Sequence, residues 1–425
     1  DNEKWYVRKY WFICFAGSSL AAILMFFIGT QFNIVMQVGI YSLILFFACM
    51  LCHGELARLK PNKNKLTLFY LIMALGGVIG SLFTSIVAEH VFTQYYEFLV
   101  GIALVYLLFS CSLWRESANK QLVKQVRKQN YYLGVLSIVG LFAFSLYFIK
   151  LNNLYYQEDV YNSRNFYGTL AVKDFKELEQ PTRILFDGAT SHGKQSLSSQ
   201  RSDILTSYYR VGTGVSLALQ QVDVHKSKKV GVIGLGTGTL ATYGNVGDDY
   251  VFYELNPNVE VAAKNYFSYL SNSKADVSVR LGDARISLQN ELEENGSQQY
   301  QVLVVDAFSS DSIPVHLLTL EAFQLYWQHL TEDGLLVLHI SNNHLDLLPL
   351  VATLSEKVGK KMLHFYSASD GATNENTAEW VVVTNNSDFY ENEAIQSRAT
   401  YFELKKEQHV LWTDAYSNLL SVIKF

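Results

Sequence analysis

Val230-Gly-Val-Ile-Gly-Leu-Gly-Thr-Gly238 is the stretch that decides the fold of the C-terminal part of the chain. Its first four residues carry no polar side chain and run straight into a turn of alternate glycines. A strand buried on both faces reads in this way. Glycines belong where the backbone must turn sharply and let a ligand approach closely. A dinucleotide site would put its third glycine at position 239, which is Thr239. The spelling GxGxG therefore suits a nucleoside beside the loop better than a pyrophosphate.

Outward from this stretch the rhythm is strand then helix, repeated. Apolar runs of strand length occupy 230–233, 250–253, 277–281, 302–305 and 335–340. Helical patterns lie between them, from Leu240 onward and over 258–270, 284–292 and 317–330. Such alternation predicts an α/β domain whose parallel sheet is covered on both faces. Ligands of such sheets bind at the carboxyl ends of the strands. The second strand ends at Glu254, able to accept from both hydroxyls of a ribose; the third ends at Gly282-Asp283-Ala284; the fourth ends at Asp306. Upstream, from Tyr155, short Tyr-rich and β-branched runs such as 165–173 and 182–186 predict a small antiparallel β region.

The first 150 residues are of another kind. The 425-residue chain is 49% apolar and only 17% charged, too little charge for an ordinary soluble enzyme and too apolar for disorder. Five stretches approach the length needed to cross hydrocarbon, 11–29, 36–52, 66–88, 98–114 and 131–149. Residues 1–150 carry 13 Lys/Arg against 6 Asp/Glu, while the chain as a whole has a net charge of -5, so the remainder is acidic. An acidic soluble part argues against a nucleic-acid partner. The domains expected are a transmembrane bundle over 1–150, a small β domain over 151–225 and a nucleoside-binding domain over 226–425.

Loop charge predicts orientation, since Lys and Arg near span ends stay on the cytoplasmic side. The N-terminal segment (Lys4, Arg8, Lys9), the second loop (Arg58, Lys60, Lys63, Lys65) and the fourth loop (Arg115, Lys120, Lys124, Arg127, Lys128) are basic. The first loop is uncharged and the third carries Glu89 and Glu97. Five spans then place everything after Lys150 outside, in a multi-pass protein of the plasma or bacterial inner membrane. Cys49-Met-Leu-Cys-His53 has the CxxCH spelling of haem attachment, but it ends a span on the cytoplasmic side and reads as coincidence. Gly76-Gly77 and Gly80-Ser81 predict close helix packing. The four cysteines all lie in the apolar part and form no disulfide framework.

The order Gly-Leu-Gly-Thr-Gly, Tyr253-Glu-Leu-Asn-Pro257, Gly282-Asp-Ala-Arg285 and Asp306-Ala-Phe-Ser-Ser-Asp311 resembles the spermidine synthase (aminopropyltransferase) family. Phe166-Tyr-Gly-Thr and Asp187-Gly188 look like that family's N-terminal β domain, and Cys52-His-Gly-Glu-Leu-Ala-Arg-Leu-Lys-Pro61 is similar to membrane-fused members. The resemblance implies a Rossmann-like, methyltransferase-type doubly wound sheet. It implies that Gly234, Gly236 and Gly238 flank the methionine-derived part of decarboxylated S-adenosylmethionine, that Glu254 holds the ribose, that Asp283 with Ala284 meets the adenine, and that Asp306 sits beside the attacking amine. No metal is implied.

Two departures accompany the match. Where the family carries a Tyr-His-Glu type sequence against the polyamine, this chain reads Ser207-Tyr208-Tyr209-Arg210, so Tyr208 and Tyr209 fall at the amine site with a cation next to them. Asp311 lies five residues after Asp306, where the family spacing is three. His192-Gly-Lys-Gln195 adds polar groups near the pocket. Three functions fit these residues: aminopropyl transfer from decarboxylated S-adenosylmethionine to a small amine; a noncatalytic subunit working with another membrane protein; or another alkyl transfer from S-adenosylmethionine itself. An exoplasmic domain favours the second, since the sulfonium pool is cytoplasmic; a sulfonium-dependent enzyme requires a cytoplasmic domain.

Overall fold

The computed structural model describes residues 6–424 apart from 30–31, 189, 199, 201, 203, 206, 222–226, 308–313, 343 and 370–376. The chain divides into two compact units, Asp1–Asp159 with Arg164–Phe166, and Val160–Ser163 with Tyr167–Phe425.

Among the described residues the first unit has five helices long and apolar enough to cross a bilayer, Arg8–Ile28, Ile34–Arg58, Lys63–Val91, Tyr96–Ser117 and Lys124–Tyr155. The second and fourth outrun the apolar stretches 36–52 and 98–114. Their polar flanks stay helical because no proline interrupts them before Pro61 in the one case, nor at all in the other. Cys49 and Cys52 lie on an exposed face of the second helix. A Cβ added at Gly76, Gly77 or Gly80 would meet nothing within 4 Å, so the expected close packing at these glycines is not made within this unit.

A polar cluster ties one end of the bundle together. Arg8 donates Nε to Glu55 Oε1 at 2.6 Å and Nη1 to Glu116 Oε2 at 2.5 Å. Ser112 Oγ donates to Glu55 Oε2, and Asn130 Nδ2 donates to Glu116 Oε2 at 3.1 Å. Arg58 lies 3.3 Å from Glu116. The N-terminal segment, the end of the second helix, the end of the fourth and the start of the fifth therefore meet at one end. At the other end Tyr96 donates to Asn152 Oδ1 at 2.9 Å, and Arg164 pairs with Glu97 at 2.8 Å.

After the helices comes a four-stranded sheet, β1 (Asp159–Asn165), β2 (Gly168–Phe175), β3 (Thr182–Asp187) and β4 (Thr190–Ser196), in the order β1-β2-β3-β4. Seven further strands follow: β5 (Lys229–Ile233), β6 (Asp249–Glu254), β7 (Asp276–Leu281), β8 (Tyr300–Val305), β9 (Leu330–His339), β10 (Lys361–Ser367) and β11 (Ala378–Thr384). Their order is β10-β11-β9-β8-β5-β6-β7. β5 pairs in parallel with β6 and β8, β6 with β7, and β8 with β9; β11 runs antiparallel to both β9 and β10. This is a doubly wound sheet of the methyltransferase type, with the strand order reversing at β5.

Alternation along the strands feeds two cores. Tyr250, Phe252, Val302, Val304, Leu335 and Val337 pack into one cluster, while their neighbours Val251, Tyr253, Leu303, Val305, Leu336 and Leu338 pack into the other. Helices Ala284–Asn295, Leu320–His329 and Leu348–Lys357 cover the second face; Gly214–Gln221 and Pro257–Tyr266 contribute to the first. Two sequence expectations change. The helix expected from Leu240 onward is one 3-10 turn, Thr239–Tyr243, closed by Gly244. The parallel sheet also gains an antiparallel edge, built from Ala378-Glu-Trp-Val-Val-Val-Thr384 and its partner β10.

Candidate active site

β5, β6, β7 and β8 end side by side, and their carboxyl ends line a cleft of about 980 Å³ counted out to its open mouth. Gly234 and Gly236 follow β5, Glu254 closes β6, Gly282, Asp283 and Ala284 follow β7, and Asp306 follows β8. The β1–β4 region adds Tyr167, Asp187 and His192, and the turn Ser207–Tyr209 adds Tyr208 and Tyr209. Among the described lining residues there are four carboxylates, Asp187, Glu254, Asp283 and Asp306, and no Lys or Arg. A cleft of this character attracts cationic ligands.

The glycine loop is shaped by contact. Gly234 has φ +99°, and a Cβ there would collide with the backbone oxygen of Asp306. Only glycine lets β5 turn this close to the end of β8. Gly238, at φ +80°, packs elsewhere, since its Cβ would lie 2.6 Å from Leu270 Cδ2. It shapes the loop without lining the cleft.

Glu254 is buried and held from both sides. Its Oε2 accepts from Leu235 N–H at 3.0 Å and its Oε1 from Asn256 N–H at 2.8 Å. Burial nevertheless pushes its carboxyl up to about 7 against the pull of these amides. Asp283 caps the helix that begins at Ala284, accepting from Ile286 N–H at 3.0 Å, and its other oxygen meets His316 Nε2 at 2.9 Å. It thus caps and lines the cleft at once.

Asp306 is 2.6 Å from the hydroxyl of Tyr209, which donates to Oδ2, and 2.7 Å from His339 Nδ1 at Oδ1. Both tyrosines are deeply buried, which raises their hydroxyls well above the ordinary range, with the Asp306 charge acting in the same direction. They remain proton donors. Tyr208 stacks on His339, ring centroids 4.5 Å apart at 26°, and Trp380 covers the opposite face at 4.5 Å and 19°.

Gln195 lies outside the cleft lining. Its amide donates to Ser202 O at 3.0 Å and Ser268 Oγ at 2.8 Å and accepts from Ser268 N–H, so it ties β4 to the loop before 269–272. Arg210, the cation beside the tyrosines, donates to Ala368 O at 2.9 Å and does not line the cleft either. Asp414 is clamped by Arg285 Nη1 at 2.7 Å and by Thr319 Oγ1 at 2.8 Å, which holds its carboxyl below the usual carboxylate range. Asp311 falls in 308–313, outside the described residues.

In sequence, part of the chain is 31% identical over 117 residues to a polyamine aminopropyltransferase of Vibrio vulnificus. That stretch of the chain is similar to an aminopropyltransferase. The match covers 26% of this chain and 37% of that relative, so the chain spans about a third of the length of the curated relative it matches. No protein-family model matches the chain. Among solved structures, it is similar to a spermidine synthase of Thermotoga maritima (16% identity, 61% of this chain and 82% of that one, TM-score 0.40) and to a probable spermidine synthase of Corynebacterium glutamicum (16%, 57% and 90%, TM-score 0.45). An O-methyltransferase of Bacillus cereus solved with SAH is also similar (13%, 40% and 79%, TM-score 0.30). The assignment of fold stands on the chain's own strand order and register.

Sequence reasoning misses His339. The signal is present: it is the one polar residue closing the apolar run Leu335–Leu338, on the strand next to the one that ends before Asp306. Val305 and Leu338 are in register, so Asp306 and His339 follow at the same level. Asp187, at the end of β3, enters the sequence reading only through the Asp187-Gly188 resemblance to a β domain and not as a residue of the cleft.

Proposed function

We propose that the protein is a membrane-tethered, spermidine synthase-like enzyme that transfers the aminopropyl group of decarboxylated S-adenosylmethionine to a small amine. The observation that carries this reading is the set of four carboxylates converging on a cleft whose described lining has no Lys or Arg. The donor is a sulfonium with a terminal ammonium, and the acceptor reaches the site as an ammonium. Intact S-adenosylmethionine adds a carboxylate that would find no cation among the described lining, which favours the decarboxylated donor.

Within this reading Gly234 and Gly236 lie along the donor's aliphatic arm. Glu254, whose oxygens accept from backbone N–H groups of the β5 and β6 ends, is the carboxylate that meets the ribose hydroxyls. Asp283 and Ala284 meet the adenine. Asp306 takes one proton from the acceptor ammonium, with the Tyr209 hydroxyl holding its Oδ2 in place. The freed amine lone pair attacks the aminopropyl carbon bonded to sulfur, a C–N bond forms, and the C–S bonding pair leaves with sulfur. The products are a secondary ammonium and methylthioadenosine. Alignment of nucleophile, carbon and sulfur supplies much of the acceleration.

Five long apolar helices support anchoring in a lipid bilayer, and a multi-pass protein of a bacterial plasma (inner) membrane is the setting we propose. The acidic third loop and basic second and fourth loops favour a second reading, in which an exoplasmic domain of this fold serves a membrane assembly with another protein. Methylthioadenosine release by the purified chain, supplied with decarboxylated S-adenosylmethionine and a panel of amines, separates the two. We expect release that Asp306→Asn lowers by about 10²-fold or more while methylthioadenosine still binds. Turnover unchanged in Asp306→Asn removes Asp306 as the base, and no release with any amine removes the transferase.

A further inference from the structure

Behind Asp306, on the side away from the cleft, lies a polar chain that the proposed transfer does not by itself require. His339 is 7% exposed and absent from the cleft lining, yet both ring nitrogens have partners: Nδ1 with Asp306 Oδ1 at 2.7 Å and Nε2 with Ser341 Oγ at 2.8 Å. Ser341 Oγ in turn accepts from the backbone N–H of Glu379 at 2.7 Å. The Asp306 carboxylate can only accept, so Nδ1 carries the ring proton and donates it there, and the Ser341 hydroxyl is free to give its own proton to Nε2. The ring cannot turn away, because Tyr208 and Trp380 stack on its two faces, and Trp380 Nε1 donates to Tyr208 O at 3.1 Å. Trp380 is fully buried and sits directly opposite His339 in the β9–β11 register.

We propose that His339, held in its Nδ1–H tautomer by its contact with Asp306, backed by Ser341 and clamped between Tyr208 and Trp380, is the positioning residue for Asp306. A lone carboxylate at a strand end can rotate about its Cβ–Cγ bond; one whose two oxygens are held by His339 and Tyr209 presents a single remaining face. His339 acts only through Asp306 and touches no substrate. Its neighbours in the second unit are Asp306 and Tyr209 from the cleft side, Tyr208 on one face, and Glu379 behind, whose carboxylate is turned to His364 Nε2 at 2.9 Å. The role of Asp306 as base belongs to the reading above, and this inference rests on that reading; the geometry that holds Asp306 does not.

Two measurements on the full chain in lipid nanodiscs test it. The first is kinetic. His339→Phe keeps a flat ring in the stack and removes both nitrogens, and we expect kcat to fall about 10²-fold with donor KM and methylthioadenosine affinity nearly unchanged. His339→Gln, which can still donate to Asp306, recovers much of the loss. Imidazole added to His339→Gly, whose vacated slot lies between two rings, also recovers rate. Full kcat in His339→Phe, or loss of methylthioadenosine binding in parallel with kcat in all three variants, overturns the proposal. The second needs no turnover. In histidine-¹⁵N-labelled protein, with the signal assigned by its disappearance in His339→Gln, we expect a protonated Nδ1 and an unprotonated Nε2 at neutral pH. Asp306→Asn should shift Nδ1. The opposite tautomer, or an Nδ1 indifferent to Asp306→Asn, also overturns it. If no amine supports release but the tautomer and shift are found, the transferase reading has failed and the positioning of Asp306 stands.

Discussion

At the scale of single residues, the candidate site is legible in the sequence wherever an acidic side chain ends an apolar strand. Glu254, Asp283 and Asp306 stand out as a set: one such carboxylate can be a helix cap, as Asp283 is, but three successive strands each followed by one at the ligand-facing edge point to a site. His339 ends its strand in the same manner without standing out, because a histidine also completes many cores without any role at a site. Its partner emerges only when β9 is laid beside β8. Glu254 yields a test of its own. Its folded-state pKa of about 7 stands above the ordinary 4.5, so the folded chain holds the proton more tightly. The resulting stability is fully present below pH 4.5 and is lost as pH rises through about 7, on the order of 3 kcal/mol by linkage. Glu254→Gln should flatten the denaturant midpoint against pH across that window. Ribose hydroxyls donating to Glu254 favour the ionised form, so methylthioadenosine should bind more tightly as pH rises through about 7, with proton release. Calorimetry in two buffers of different ionisation enthalpy reads that release, and its absence would detach Glu254 from the ribose.

At the scale of elements, four of the seven large-sheet strands are readable from apolar runs and β7 from the alternation Val277-Ser-Val-Arg-Leu281, while β10 and β11 are not readable in this way. Lys361-Met-Leu-His-Phe-Tyr-Ser367 alternates weakly, and nothing local to Ala378–Thr384 says that it inserts antiparallel between β9 and β10. That placement is a property of the whole sheet. The residues of the turn Thr239–Tyr243 suit a helix and predict one; the left-handed Gly238 before it and Gly244 after it leave room for a single turn. The β5 turn is the element most exposed to mutation. Gly234→Ala forces a Cβ against the Asp306 carbonyl at a φ that alanine avoids, so we expect about 2–4 kcal/mol of destabilisation. A urea midpoint that stays at the wild-type value would show that the β5 and β8 ends part without cost.

At the scale of the whole molecule, two kinds of sequence share one chain, and charge and hydropathy are enough to tell them apart. Which side of a membrane the second unit occupies is a question for the loops. Their charges predict that a reporter active only outside the cytoplasm works when fused after Phe425 and that its cytoplasmic counterpart does not. The reverse result would overturn the charge assignment and put the cleft on the donor's side. The bundle offers a second test at this scale. Glu55→Ala removes the carboxylate that Arg8 meets with two nitrogens and leaves a buried cation with Glu116 alone. A loss of about 3–5 kcal/mol follows, to be read as a lower melting temperature of the solubilised protein; Arg8→Met with Glu55→Leu should restore much of it.

The same cluster has a meaning in the order of synthesis. Arg8 and Glu55 belong to the first and second helices of this bundle, which leave the ribosome before its other three and can neutralise each other as a hairpin. Glu116, Ser112 and Asn130 arrive much later, on the fourth and fifth helices, and join a pair already made. The early hairpin is thus charge-balanced before its final neighbours exist, and the late helices are recruited to a polar address already written at one end of the growing bundle.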